Sequence, residues 1–411
     1  MMEDNSPKVI PDKTHFWRDI RFLKVFFQVI FLIGIILLAA FFYSNMLNGL
    51  RKQNLALDIS FLGSEAGFGI SEGIAYDPSD SYLKAFWVGI VNTIKVSIIG
   101  IVCATVLGFV FGIARLSSNW LIRNIAAVYV EIFRNIPLLL QIFFWYALTR
   151  SLPKVPNSFV ISDSIVLNVR GIYLPTFEPD AGFSTWLWYL LGGIILAIIV
   201  VLCFAAFRNF GRFRELQHTD RPSFISDIIF GAKWAAAPTF LIVAIVGLFL
   251  TSEPPFIVNR PVLQGFNYVG GMNLSPEFSA LLIGLAVYTS AFIAEIVRSG
   301  IQAVVKGQRE AARAVGLKES QVLQLIVIPQ AIPIIIPPLT SQYLNLAKNS
   351  SLATAIGFPE LLYVGHTMMN QTGQSIPIFG MVMVSYLIMS LTTSAFMNWY
   401  NHRITRMGRS R

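Results

Sequence analysis

Residues Glu310–Pro329 read EAARAVGLKESQVLQLIVIP and begin with a polar gap between two apolar stretches, 278–297 and 322–344. An apolar stretch of roughly 20 residues is long enough to cross the hydrocarbon layer of a membrane as a helix. The polar gap therefore connects two membrane-spanning helices at one membrane surface. Outward from this segment, the same alternation of apolar stretches and polar connections recurs along the chain.

Length and composition place the chain among the membrane proteins. Its 411 residues are 55% hydrophobic and 13% charged, which is too apolar for a soluble domain, and the chain is too long for a single span. Eight stretches are candidates for spans: 25–43, 86–114, 125–147, 185–207, 234–250, 278–297, 322–344 and 376–399. They lack the two-residue alternation of a transmembrane barrel. We therefore predict an all-α polytopic membrane protein with about eight transmembrane helices.

The positive charges predict the orientation of the chain. If the N-terminus is cytoplasmic, 21 of the 31 Lys and Arg residues fall in tails and loops on the cytoplasmic side. Because cationic residues are retained on the side from which a chain inserts, we expect both termini in the cytoplasm. This distribution, rather than the net charge of +9, argues against nucleic acid as a partner. The first apolar stretch is longer than a signal-peptide core, so we expect it to remain as an anchor.

The order of spans and loops predicts five segments. They are a leader, anchor helix and external loop (1–82), a first block of two spans (83–150), an inserted region with two extra spans (151–277), a second block of three spans (278–400) and a basic tail (401–411). The inserted region contains two external loops, 151–182 and 251–277, that are rich in Pro, Gly and Asn. Its extra spans are joined by the basic connection RNFGRFRELQHTDRPSFISD, which we place at the lipid surface.

The polar gap predicts a short helix that contacts another protein. A Glu-Ala-Ala triplet is followed by three residues, a glycine and nine more residues before Ile-Val-Ile-Pro. Small side chains at Ala311 and Ala312, side by side, let the surface of a soluble partner approach the backbone. Gly316 ends the helix, and Leu317 can close its cap.

Glu310 is expected in the first turn of this helix, where the helix dipole favours a carboxylate. Arg313 lies three residues on and is placed for a local ion pair with it. Taken by themselves, these residues also fit a well-capped loop helix that binds no partner.

A second group of polar residues lies within the third apolar stretch. Glu131, Arg134 and Gln141 recur at spacings of three and seven residues, roughly on one face, and Pro137 interrupts the helical hydrogen bonds. Charged side chains at membrane depth are costly unless they pair or line a wet cavity, so these three are candidates for a translocation pathway. A structural Glu131–Arg134 pair, or an Arg134 side chain extended to the interface, is the alternative.

The end of the seventh stretch adds Asn345, Lys348 and Ser351 as pathway candidates. Four prolines within 329–338 predict kinks and free carbonyl groups near a cavity. Alternatively, Lys348 extends to the headgroups and a serine caps the next helical segment. For Lys95 in the second stretch we expect such an extension to the headgroups.

Together these motifs resemble the permease subunits of binding-protein-dependent ABC importers, in particular the polar amino-acid family. The triplet motif matches at every marked position except that Ile328 stands where Leu is usual. Further matches are YVEIFRNIPLLLQ (129–141), AEIVRSGI (294–301), GQREAA (307–312), PQA (329–331) and KNSSLA (348–353). They cover most of 85–150 and 278–399. The anchor and the inserted pair, added to five core spans, resemble the long permeases of general L-amino-acid importers.

The resemblance implies that the loop at 301–320 docks its helix onto an ATP-hydrolysing subunit. The implied coupling residues are Gln308, Glu310, Ala311, Ala312, Gly316 and Pro329. The implied partners are a pair of ATP-binding subunits, a second and different permease chain, and a periplasmic amino-acid-binding protein, in the lipid of the bacterial inner membrane. The chain itself is then a transport subunit rather than an enzyme, without a cofactor, because the ATP is bound by its partners.

Other functions find less support in the sequence. Cys103 and Cys203 both fall within apolar stretches, and the four histidines are far apart, so neither a disulfide framework nor a metal site is predicted. The glycines at 63–73 are not followed by Gly-Lys-Ser/Thr, so no nucleotide site is predicted either. A secondary transporter would show matching interrupted spans in two inverted halves, and a membrane enzyme would need a catalytic cluster; we find neither pattern in the sequence.

Overall fold

The protein is described by a computed structural model that covers residues 20–52, 59–162, 164–215 and 235–409. Its helices are α1 Ile20–Lys52, α2 Tyr82–Ala114, α3 Trp120–Asn135, α4 Leu138–Arg150, α5 Phe183–Glu215, α6 Ala237–Leu250, α7 Pro276–Gln302, α8 Lys306–Ala314, α9 Ile328–Asn349, α10 Leu361–Thr372 and α11 Ser375–Arg409. Most of the leader and most of the basic connection between the extra spans lie outside the described residues.

Six of these helices are long and apolar enough to cross a membrane, and the bent pair α3–α4 makes a seventh within the described ranges. Helix α6 is apolar but has only 14 residues there. The expected count of eight spans is therefore not reproduced over the described residues. The polytopic all-α architecture is confirmed, with α1 in the place of the expected anchor.

The third expected span, 125–147, is not one straight helix. It breaks into α3 and α4, whose axes differ by 106°. Pro137 has no N–H to donate, and the proline ring disfavours the helical conformation of the residue before it. Ile136 accordingly adopts an extended backbone, with φ −90° and ψ 127°.

Helix α7 is the centre of the bundle and packs against α2, α3, α4 and α9. Its contact with α2 is close because α2 presents glycines to it. A Cβ atom at Gly108 would lie 2.5 Å from a methyl group of Ile293. Small residues allow helices in a membrane to approach each other in this way. The largest buried apolar side chains of this core include Leu281, Leu285, Ile293, Leu346 and Phe358.

The loops of the inserted region form small antiparallel sheets. The strands are β1 Phe159–Ile161, β2 Ile165–Asn168, β3 Gly171–Leu174, β4 Thr176–Pro179, β5 Phe256–Asn259, β6 Val262–Gln264, β7 Asn267–Val269 and β8 Met272–Leu274. One sheet has the order β1-β2-β3-β8, while β4 pairs with β5 and β6 with β7. Two of these pairings, β3–β8 and β4–β5, join loops that are separated by two helices. Such long-range pairing has no local sequence signal, so the sequence predicts only loops here.

Helices α5 and α6 of the inserted region pack against each other. The indole Nε1 of Trp186 donates a hydrogen bond to the carbonyl oxygen of Ala244 at 3.0 Å. Gly247 lies against Tyr189, where a Cβ atom would come within 2.7 Å of that side chain. The two extra helices thus pack together, and the sheets adjoin the start of α5 and the end of α6.

The segment before α2 folds onto the bundle. A carboxylate oxygen of Glu72 lies 3.1 Å from the Lys95 ammonium, and the other accepts a hydrogen bond from the Ser275 hydroxyl at 2.6 Å. The Lys95 ammonium also lies 4.7 Å from the ring centre of Phe278. Lys95 is thirteen residues into α2 and pairs within the protein, so the expected extension to the headgroups is wrong.

Helix α10 was missed by the sequence analysis, and its cap differs from the expected serine. Glu360 is fully buried, and its carboxylate accepts hydrogen bonds from the N–H groups of Leu362 and Tyr363 at 2.9 and 2.8 Å. The hydroxyl of Tyr386 donates to the same carboxylate at 2.7 Å. The hydroxyl of Ser351 instead bonds back to the carbonyl oxygen of Lys348 at 2.8 Å.

Candidate functional site

The polar gap folds as α8, at the end of α7 that is remote from the sheets. Helix α7 has 27 residues, so it separates α8 from β8 by about 40 Å along its axis. After α8, a single turn, Glu319–Gln321, and a π-helical segment, Val322–Val327, lead into α9. The predicted short helix is therefore present, and in the chain it connects α7 to the segment that leads into α9.

The two alanines of the triplet do not share one surface. Ala311 is exposed, but Ala312 is only 6% exposed and packs in the core with Val304 and Val322. Successive residues on an α-helix point about 100° apart, which turns one alanine outward and the next inward. Gln308, Glu310 and Ala311 are all exposed on α8, while Ala312 holds the helix to the bundle. Glu310 and Ala311 point away from the bundle, whereas Gln308 lies one turn before Ala312 on the adjoining side.

Gly316 ends α8, as the sequence predicts. Its φ is +88°, in the left-handed region that glycine adopts without strain. The N–H of Gly316 donates to the carbonyl of Arg313 at 2.9 Å, and the N–H of Leu317 donates to that of Ala312 at 3.2 Å. This pair of bonds is a Schellman motif, and the half-buried Leu317 side chain packs against the core beside it.

The expected pair between Glu310 and Arg313 does not form. Glu310 lies in the second turn of α8 rather than the first, and its side chain is exposed. The guanidinium Nε of Arg313 lies 2.5 Å from a carboxylate oxygen of Glu319, beyond the helix end, and this contact raises the pKa of Arg313. Glu310 makes no ion pair with any described residue, so its carboxylate is available to a partner.

Pro329 lies at the start of α9, directly after the π-helical segment. A proline ring clashes with the carbonyl group four residues earlier in an α-helix. The wider π-helical turn over 322–327 places the backbone differently at that point and avoids the clash. The three later prolines lie inside a helix that stays continuous from Ile328 to Asn349. Pro329 is exposed at the start of α9 and is not part of α8.

A polar cavity of about 280 Å³ lies between α7 and α9. It is lined by Tyr288, Thr289 and Phe292 from α7 and by Gln342, Asn345 and Asn349 from α9. Amide and hydroxyl groups from two facing spans thus meet around one space. Of the residues singled out in the sequence, Asn345 lines this cavity directly.

Arg134 reaches the same region from α3. Its guanidinium carbon lies 5.2 Å from the ring centre of Phe292, which lines the cavity. The structural pair with Glu131 is absent among the described residues, and both side chains are exposed. A cation held over an aromatic ring keeps hydrogen-bond donors free, which an ion pair would not.

Gln141 has a structural position rather than a place at the cavity. It is 3% exposed, and its Nε2 donates to the carbonyl oxygens of Phe133 and Ile136 at 2.9 and 3.0 Å. These carbonyls lose their helical donors at the Pro137 break. Gln141 therefore holds the bend, and the bend removes it from the face of Glu131 and Arg134. Lys348 is exposed at the end of α9, and Ser351 follows it.

A charged cluster beside α8 was only partly visible in the sequence. Glu295 and Arg298, three residues apart on α7, form an ion pair, and Arg115 from the end of α2 contacts the same carboxylate. Arg298 also donates to the side chain of Gln302 at 2.7 Å. The spacing of Glu295 and Arg298 predicts their contact, but no local pattern identifies Arg115. The cluster ties α2 to α7 next to the polar gap.

Over the part of the chain that the structure covers, no group of three or more His, Cys, Asp or Glu side chains is placed to hold a metal ion. Cys103 and Cys203 are unpaired there.

The sequence is similar to known transport proteins over nearly its full length. The family described as "Binding-protein-dependent transport system inner membrane component" matches residues 223–406. The putative amino-acid ABC transporter permease protein YhdX of Escherichia coli is 43% identical over 388 residues, covering 92% of this chain and 93% of the relative. The general L-amino acid transport system permease protein AapQ of Rhizobium johnstonii is 43% identical over 398 residues, covering 95% of this chain and 94% of the relative.

A third relative is named for a narrower set of amino acids. The glutamate/glutamine/aspartate/asparagine transport system permease protein BztB of Rhodobacter capsulatus is 35% identical over 407 residues, covering 94% of each chain. Since at least nine-tenths of this chain is covered in all three comparisons, these relatives share its inserted region.

Proposed function

Because this chain belongs to the amino-acid ABC transporter permeases, inner membrane components of binding-protein-dependent transport systems, we propose that it forms half of a pathway for L-amino acids. In this proposal the chain has no reaction of its own to catalyse. Partner subunits bind and hydrolyse the ATP, and the chain converts their closure into a change of access to the pathway.

The exposed face of α8 is the observation that carries the proposal. Gln308, Glu310 and Ala311 project from a short helix at the loop surface, and Glu310 has no partner among the described residues. A carboxylate beside a small side chain offers both a charge and close access to the backbone. We propose this face as the docking surface for an ATP-hydrolysing subunit.

Contacts on the inner side of α8 couple a movement of this helix to the rest of the bundle. Ala312 and Leu317 are packed into the core, the Gly316 cap fixes the helix end, and Arg309 donates a hydrogen bond to the carbonyl of Ile301 at 2.5 Å. A push on α8 therefore reaches α7 and the start of α9 together. A few kcal/mol of difference in partner affinity between two states is enough to switch such an equilibrium.

We place the translocation pathway at the polar cavity between α7 and α9. Every amino acid carries an α-carboxylate, which Arg134 beside Phe292 can bind, and the amides of Gln342 and Asn345 can contact the remaining polar groups. Contacts to groups that all amino acids share favour a broad range of L-amino acids. Lys348 and Ser351 are proposed for the external end of the same pathway, and Glu131 for its exposed rim on α3. Gln141 supports it by holding the bend.

The remaining assignments follow from the side on which α8 lies. With α8 cytoplasmic, both termini are cytoplasmic and the sheets face the periplasm of a bacterial inner membrane. The proposed assembly contains two ATP-binding subunits, a second and different permease chain, and a periplasmic amino-acid-binding protein. Within this chain, 83–150 and 278–400 form the permease core, 1–82 adds the anchor, 151–277 the inserted region and 401–411 a basic tail.

Uptake of a labelled amino-acid mixture into proteoliposomes, with the partner subunits and the receptor present, tests this proposal. We expect Glu310→Lys to abolish ATP-dependent uptake while leaving membrane insertion intact, because it reverses the charge on the docking face. Glu253→Lys is the matched control, since Glu253 is exposed in the loop before β5, on the other side of the membrane.

Normal uptake by the Glu310→Lys transporter would refute α8 as the docking helix. Uptake driven by an ion gradient without the ATP-binding subunits would refute the whole assignment in favour of a secondary transporter.

A further inference from the structure

A large apolar groove lies at the α8 end of the bundle, between α2, α9 and α11. Its volume is about 1320 Å³, above the roughly 300–1,000 Å³ that is usual for pockets of small ligands. Its walls are mainly aliphatic and aromatic, with Phe109 and Val110 from α2, Ile332 and Leu339 from α9, and Phe396 from α11. An occupant of this groove must be long and apolar over most of its surface.

The inner end of the groove offers nothing to a polar ligand. Thr105 and Tyr343 lie there, and their hydroxyl oxygens are 2.8 Å apart in a hydrogen bond. Thr105 also donates to the carbonyl of Ile101 at 2.6 Å. Thr105 precedes the end of α2 by nine residues, or about 14 Å. The polar atoms at this depth are thus satisfied within the protein, and the groove beyond them is suited to hydrocarbon.

The outer end of the groove carries a cation. Arg309, on the inner side of α8, lines the groove beside Gln302 and Ser117. One Nη of Arg309 donates to the carbonyl of Ile301, but its Nε is buried and has no hydrogen-bond partner among the described residues. A buried donor without a partner is costly, and a guanidinium binds phosphate oxygens well. The unsatisfied donor therefore calls for an anionic group at this end.

We propose that the groove binds an anionic phospholipid, with its phosphate on Arg309 and its acyl chains along α2, α9 and α11. The charge and polarity of the groove match this ligand at both ends. The orientation also matches, since the headgroup would lie at the membrane surface where α8 lies. A free amino acid does not fit, because its charged groups would have no partners along the apolar walls. The bound lipid would contact the inner side of α8, opposite the proposed docking face.

The test measures lipid retention and does not depend on which substrate is carried. The complete transporter is purified from nanodiscs of phosphatidylcholine with a defined share of phosphatidylglycerol, and the retained lipids are counted by native mass spectrometry. We expect one phosphatidylglycerol per copy of this chain in the unaltered protein and in Arg309→Lys. Arg309→Gln should weaken retention about fivefold, as follows from roughly 1 kcal/mol per cation at a membrane surface.

Two pairs of variants separate the site from general effects. Val110→Trp places a large ring in the groove, whereas Val106→Trp adds the same ring at an exposed position on α2 outside it. Arg313→Gln removes a charge from α8 that does not line the groove. We expect only Arg309→Gln and Val110→Trp to lose the lipid.

Equal retention in Arg309→Gln and the unaltered protein would overturn the proposal. So would an unaltered transporter that retains no phosphatidylglycerol, because the groove would then be covered by protein. If Arg313→Gln lost as much lipid as Arg309→Gln, retention would depend on the total charge of this surface and not on Arg309. That result would also refute the site.

Discussion

At the scale of single residues, three positions have roles that depend on one backbone conformation or on a specific set of hydrogen bonds. Gly316 supplies the left-handed turn that ends α8, and Gln141 supplies the donors that Pro137 cannot. Glu360 is buried but receives four hydrogen bonds, so its burial is compensated. These positions are therefore sensitive to substitutions that preserve size but change conformation or donor capacity.

Gly316→Ala is expected to loosen α8. An alanine at φ +88° costs about 1–2 kcal/mol, so the helix end should open about tenfold more often. The measurement is amide hydrogen exchange over 306–317 in the assembled transporter. Gly307→Ala is the matched control, because Gly307 has ordinary φ and open space around its Cβ position. Gly316→Asn should show a smaller effect, since asparagine tolerates this conformation. Unchanged exchange in Gly316→Ala would show that the cap does not limit the opening of α8.

At the scale of helices and strands, the bend between α3 and α4 decides where Arg134 lies. The bend directs α3 toward Phe292 and leaves two carbonyl groups to Gln141. The sequence contains the cause, Pro137, but not the 106° angle, which depends on how α4 packs against α7.

Gln141→Leu should destabilise this bend. The carbonyl groups of Phe133 and Ile136 would lose these donors, and an unsatisfied polar group costs about 1–3 kcal/mol when it is buried. We expect a lower melting temperature of the purified complex and weaker uptake, because Arg134 would no longer be held at the cavity. Leu140→Gln makes the reverse exchange at the neighbouring exposed position without touching the bend and should behave like the unaltered protein. Equal melting temperatures for all three proteins would contradict the assignment of Gln141 to the bend.

Features that depend on nearby residues could be predicted from the sequence, whereas features that depend on packing between distant segments could not. Gly316 could be predicted because its role depends on neighbours within five residues. The Glu310–Arg313 pair was wrong because Glu319, which follows a turn, competes for Arg313 at closer range. The inward position of Ala312 could not be predicted, since it depends on packing against Val304 and Val322. The cavity between α7 and α9 likewise exists only when distant spans are brought together.

At the scale of the whole molecule, the β strands connect the two loops of the inserted region. Glu178 of β4 is the register partner of Ile257 of β5, and both side chains are exposed. In the proposed topology these loops face the oxidising periplasm. We therefore expect Glu178→Cys with Ile257→Cys to form a disulfide there, because register partners lie about 4.5–5.5 Å apart. The bond is detected as a mobility shift on non-reducing gels after cleavage between the loops. Glu178→Cys with Val262→Cys, an exposed position outside this register, should remain reduced. A reduced first pair in intact cells would contradict either the pairing or the periplasmic location.

The pairing of β3 with β8 gives the chain a modular construction. Leu174 and Met272 are register partners, so the segment 175–271 leaves the bundle and returns to it at adjacent points. The β3–β8 pairing therefore fixes where the chain leaves α4 and enters α7, and this does not depend on the length of the segment between the two strands. A permease core can therefore gain, lose or exchange an accessory hairpin here without rebuilding the helices that move the substrate, much as domains tolerate insertions where their chain ends lie close together.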